Sequence, residues 1–333
     1  MQAQERLLWF RRLSLLGAIL AGTVIVLGAW VRLTDAGLGC PDWPGCYGHV
    51  FPQGGEGFAK ALHEMIHRYF ASSLGLVVCT LLAWALINRR DPGQPVAPVV
   101  GLFVLILAQG ALGRLTVTML LRPLIVTAHL LGGMTTFGIL CWLSQAPRRR
   151  DMPEPERGLR LASLAALCVL ALQIALGGWT SSNYAGIACP DFPTCRSDWW
   201  PRMDYRRAFL LNHALGVDDS GGPLQDPARV AIHVTHRLGA LAVGFVLTGL
   251  SVATFLRARS RRLRFAGGLL FVAVITQICI GIAAVSGGLP LPLATLHNAG
   301  AALLVLAMVT LLRALWPNPA VAMVPCADGH RSR

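Results

Sequence analysis

Eight apolar runs, at residues 13–33, 65–87, 97–117, 124–143, 159–180, 230–256, 265–285 and 291–315, restrict what this chain can become. Each can cross a hydrocarbon core about 30 Å thick as a helix. In lipid a helix satisfies its own backbone N–H and C=O groups, so an irregular chain is excluded there. With 54% hydrophobic and 14% charged residues and a mean hydropathy of +0.57, the 333 residues fall outside the range of soluble domains. The expected fold is an all-α integral membrane protein with eight transmembrane helices.

The formal charge of +13 comes almost wholly from arginine, Lys60 being the one lysine. A basic balance of this size can serve nucleic-acid binding. These arginines instead crowd short connections between apolar runs, and no nucleic-acid partner is expected. Arg11 with Arg12, Arg89 with Arg90, Arg148 to Arg150, and Arg257 with Arg259, Arg261, Arg262 and Arg264 fall on alternate connections. The positive-inside rule then predicts a multi-pass protein of a bacterial inner membrane with both termini cytoplasmic. Long loops at 34–62 and 181–229 are left on the outer side. The first run follows Arg11 and Arg12 as a signal peptide would. Its length and Arg32, with no A-x-A-like site, predict a retained helix.

An internal repeat divides the chain. Gly28-Ala29-Trp30 answers to Gly177-Gly178-Trp179, and Cys40-Pro41-Asp42-Trp43-Pro44-Gly45-Cys46 to Cys189-Pro190-Asp191-Phe192-Pro193-Thr194-Cys195, both at an offset of 149. Beyond the longer second loop, His67-Arg68 answers to His236-Arg237, Gln109 to Gln277 and His129 to His297. Repetition at a fixed offset is the mark of a duplicated structural unit. Two four-helix halves, 1–147 and 159–316, are expected, joined by a linker at 148–158 and followed by a disordered tail at 317–333.

Each half sets one histidine on its second span and one on its fourth, all expected in the outer third. One histidine from each of two helices at matched depth can ligate a haem iron from both faces. Buried hydrogen-bonding histidines are the alternative. Arg68 and Arg237 adjoin the first histidine of each pair and suit haem propionates, or else snorkel to the headgroups. Cys40 with Cys46 and Cys189 with Cys195, in outer loops, are expected to form disulfides; a metal site competes. Their role, as braces or as a redox couple, stays open. Cys79, Cys141, Cys168 and Cys279 read as small residues of the membrane core. The polar stretch Asp218-Asp219-Ser220-Gly221-Gly222 reads as a solvated excursion, with a docking surface as the alternative.

The first cluster admits three readings. His63-Glu64-Met65-Ile66-His67 formally matches the zinc-protease pattern H-E-x-x-H. The second half has Ile232 and His233 where the first has His63 and Glu64, so the repeat supports only His67 as a shared ligand. A plain electron carrier with two b-type haems fits everything symmetric. The asymmetry favours a third reading, in which Glu64 does proton-coupled chemistry beside one haem. An ion pair with Arg68 or Lys60 would also account for Glu64.

VRLTDAGLGCPDWPGCYG at 31–48, HEMIHR at 63–68, VTAHLLGG at 126–133, HVTHR at 233–237 and LHNAG at 296–300 together resemble the haem A synthase family, over essentially the whole chain. The resemblance implies two pseudo-symmetric four-helix bundles and oxidation of a haem O methyl group to a formyl group through an alcohol. It puts the substrate haem against His67 and His129, a haem b cofactor on His236 and His297, and the important carboxylate at Glu64. It gives both cysteine pairs to the bacterial branch. Haem O and membrane lipid are the implied partners, with haem O synthase, cytochrome oxidase assembly proteins and an electron-transfer partner as further candidates and homo-oligomerisation left open.

Overall fold

A computed structural model of the chain describes residues 2–55, 57–145, 157–211 and 224–316. Its helices are α1 (Ala3–Leu33), α2 (Phe58–Ile87), α3 (Val96–Thr118), α4 (Pro123–Ser144), α5 (Arg157–Ser182), a single turn α6 (Tyr205–Ala208), α7 (Asp226–Arg257), α8 (Arg261–Ser286) and α9 (Leu291–Leu315). All except α6 are long and apolar enough to cross a membrane. Each expected span lies inside one of these eight. The helices run past the apolar stretches because their polar ends find partners. Arg6, at the start of α1, grips Asp91 in the α2–α3 connection with bonds of 2.7 and 2.9 Å. Prolines at the first turn start α4, α7 and α9, where the missing N–H is not needed.

Helix contacts form two closed rings. In the first half α1 and α3 each pack on α2 and α4; in the second, α5 and α8 each pack on α7 and α9. Across the seam α1 meets α9, and α4 meets both α5 and α9. Exchanging α1, α2, α3 and α4 for α5, α7, α8 and α9 returns the same set of pairs. Buried Phe137, Leu140, Met308 and Leu311 belong to a core continuous through both halves. At the cysteine-loop end, Arg32 Nη2 donates to the Ser181 carbonyl at 2.8 Å and Tyr184 Oη donates to Asp35 at 3.0 Å. Both bonds join residues 149 apart, so each repeat position touches its own counterpart. The Arg32 guanidinium also lies 4.2 Å from the Tyr184 ring centre. At the other end Gln145 donates to Thr310 at 3.1 Å.

Of the four span cysteines, only Cys141 is buried; Cys79, Cys168 and Cys279 are exposed on the surfaces of span helices. Arg157 and Gly158, read as the end of the linker, begin α5. The rest of the linker, the 218–222 stretch and the tail with Cys326 lie outside the described residues.

Candidate functional site

Both outer loops fold around an aspartate. Asp42 accepts the N–H groups of Tyr47 and Gly48 at 2.6 and 2.7 Å. Asp191 accepts those of Arg196 and Ser197 at 2.5 and 2.9 Å and the Thr194 hydroxyl. Left-handed turns at Tyr47-Gly48 and Arg196-Ser197 aim these amides at one carboxylate. The Gly48 N–H chiefly holds the Asp42 carboxyl below the usual range. The Thr194 hydroxyl, with the Ser197 N–H, brings Asp191 down to about 2. Cys40–Cys46 and Cys189–Cys195 close the two loops as disulfides.

The arginines after the first histidines hold these loops. Arg68 Nη1 donates to the carbonyls of Asp42 and Gly45 at 3.0 and 2.5 Å. Arg237 donates to those of Cys189, Asp191 and Thr194 at 2.8 to 2.9 Å. Donors that the sequence offered to propionates are thus engaged by loop carbonyls. Glu64, 4% exposed, bridges the same parts: Oε1 accepts from Arg68 at 2.5 Å and Oε2 from the Cys40 N–H at 2.9 Å. The partner is Arg68 rather than Lys60. Gly39 makes this approach possible, since a Cβ there would lie 2.6 Å from the Lys60 carbonyl carbon. In the second half His233 takes the place of Glu64, with Nδ1 3.4 Å from the Cys189 N–H.

One cavity of about 1860 Å³ runs through both halves and is lined by Glu64, His67, His129, His233, His236 and His297. Ordinary small-molecule pockets enclose roughly 300–1,000 Å³, so this space suits ligands of macrocycle size. His67 and His129 lie close enough to interact electrostatically. The His236 and His297 ring centres are 6.4 Å apart, with planes at 80°. Two nitrogen ligands on opposite sides of one metal, each about 2 Å from it, put their ring centres about 6 Å apart. The residues present therefore fit haem.

Each histidine ring rests on a glycine of the neighbouring helix: His67 on Gly28, His129 on Gly113, His236 on Gly177 and His297 on Gly281. A Cβ at these places would stand 3.0, 3.5, 3.3 and 3.0 Å from the ring. Gly28 and Gly177 stand out in the repeat, but only as a match. Gly113 and Gly281 went unread, though each lies four residues after its repeat glutamine, on the same helix face. His63 of the H-E-x-x-H match packs edge-on to Trp30 at 6.2 Å. Among the described residues no group of three or more His, Cys, Asp or Glu side chains is arranged to hold a metal ion by itself.

A family model described as a cytochrome oxidase assembly protein, COX15-CtaA, matches residues 11–309. The chain belongs to this family. The COX15-CtaA match takes in both cysteine loops and all four histidines. The chain is also similar to a Heme A synthase of Shewanella oneidensis, 40% identical over 329 residues that cover 93% of this chain and 97% of the relative. A Heme A synthase of Rhizorhabdus wittichii is 28% identical over 89% of this chain and 90% of its own. One of Halalkalibacterium halodurans is 25% identical over 93% and 99%.

Proposed function

We propose that this chain is a haem A synthase, a membrane oxidoreductase that converts one methyl group of haem O to a formyl group through the alcohol. The observation that carries the reading is one cavity holding two histidine pairs in a COX15-CtaA chain. His67 and His129 would hold the substrate, and His236 and His297 haem b, which when bound supplies one-electron transfer. Glu64 makes the halves unequal. Pinned by the Cys40 N–H and by Arg68, its carboxylate stands on the cavity wall three residues from His67. From there it takes a proton, or steadies positive charge, as the methyl group is oxidised. Apolar walls keep bulk water from the reacting group and strengthen that interaction.

The orientation proposed is cytoplasmic termini and cysteine loops on the oxidising outer side of a bacterial inner membrane, where disulfides persist. Haem O would come from haem O synthase, and an electron-transfer partner would carry away the electrons.

Extraction of pigments from the purified protein, made with and without a supply of haem O, tests the reading. Haem B together with haem O, its alcohol or haem A is expected. Haem B alone, two per chain under both conditions, would make the protein an electron carrier.

A further inference from the structure

We propose that Gln173 is a positioning residue that makes the second histidine pair a retaining site, and that Val24 in its place lets the first pair release its ligand. This rests on the synthase reading, in which haem b stays while a substrate enters and a product leaves at each turnover.

The internal repeat supplies its own comparison. Gln173, on α5, reaches α7: its Nε2 lies 3.1 Å from His236 Nδ1 and 3.0 Å from the His236 carbonyl. Gly239 makes the space, since a Cβ there would collide with the Gln173 side chain. The first half has Val24 at the place of Gln173 and Phe70 at that of Gly239. His67 Nδ1 accordingly finds no side-chain partner. On the other side of each site, Gln277 Nε2 lies 3.3 Å from a ring nitrogen of His297 and 3.0 Å from its carbonyl. Gln109 and Gly132 stand at the corresponding places in the first half. The Gln109 amide sits against Gly132 as that of Gln277 sits against Gly300, so this side is alike in both halves. The two halves therefore differ at Gln173 and Val24.

A ligating imidazole is oriented by the bond its second nitrogen makes, and loss of that bond commonly costs 10–100-fold in metal affinity. The amide nitrogen of Gln173 serves the His236 carbonyl, and its buried Oε1, without a partner, is the acceptor that a turn of the amide offers to the Nδ1–H of a ligating ring. Rings held this way stay aimed at the metal. The His67 ring, with Val24 in place of that amide, turns away at less cost.

The test uses the full-length protein purified with its haem. Transfer of haem b to excess apomyoglobin is followed by absorbance, and the oxidised haem by electron paramagnetic resonance. Gln173→Val should speed haem b loss about tenfold and shift the low-spin signal. Gln173→Glu, which keeps an acceptor for the ring, should hold the wild-type rate. Equal loss rates and unchanged spectra for Gln173→Val overturn the proposal. The converse variant, Val24→Gln with Phe70→Gly, covers the case in which Gln173→Val does not fold. It should slow loss of the first-half pigment about tenfold, and an unchanged rate counts against the proposal. Wild-type protein without haem b would overturn the synthase reading as well, whereas haem b indifferent to Gln173 sinks this inference alone.

Discussion

Glu64 serves two neighbours with one carboxylate, and its substitutions separate them. Glu64→Gln keeps an acceptor for the Cys40 N–H while removing the charge that faces Arg68; Glu64→Ala removes both. Both variants should retain haem b, and Glu64→Ala should accumulate haem O or its alcohol in pigment analysis. Normal haem A output from both would take Glu64 out of the chemistry. The glycines under the rings make a graded series. Gly281→Ala puts a methyl 3.0 Å from the His297 ring, so haem b per chain should fall, read by pyridine haemochromogen. Gly113→Ala meets His129 at 3.5 Å, an ordinary contact, and should bind as wild type.

The cysteine loops make their prediction as elements. Their aspartates knit turn amides together, and Asp191 is held down at about 2 by the Thr194 hydroxyl and the Ser197 and Arg196 amides. A carboxyl lowered on folding stabilises the fold above its unfolded pKa and loses that contribution as pH falls through the folded value. The difference in thermal stability between wild type and Asp191→Asn should therefore be constant above pH about 4 and shrink toward pH about 2. A difference that persists at pH about 2 would mean that charge is not what Asp191 contributes. The loops and spans were legible because their signals are local: a run of apolar residues, or a C-x5-C pair repeated at one offset. The histidine pairs were legible through the repeat. The same repeat concealed Gln173, which has no counterpart to match, and gave no sign that Arg68 and Arg237 hold the loop carbonyls. The ring-bearing glycines Gly113 and Gly281 could not be told from helix glycines until their neighbours were known.

At the scale of the whole molecule, the two halves meet through Arg32, which the repeat replaces by Ser181. Its side chain is 13% exposed, so its bond to the Ser181 carbonyl is shielded from water. Arg32→Leu should cost on the order of 1–3 kcal/mol in unfolding free energy. A double-mutant cycle with Tyr184→Phe should show coupling, because both side chains act on one seam. Additive losses would separate the two contacts. Each half is also a four-sided frame whose opposite members, α2 with α4 and α7 with α9, make no close backbone approach among the described residues. His67 and His129 stand on one such diagonal, His236 and His297 on the other. A frame of four hinged sides shears freely until a strut crosses it. Whatever joins the second pair would brace that half for the life of the protein, while the first half would stiffen and slacken with every substrate that comes and goes.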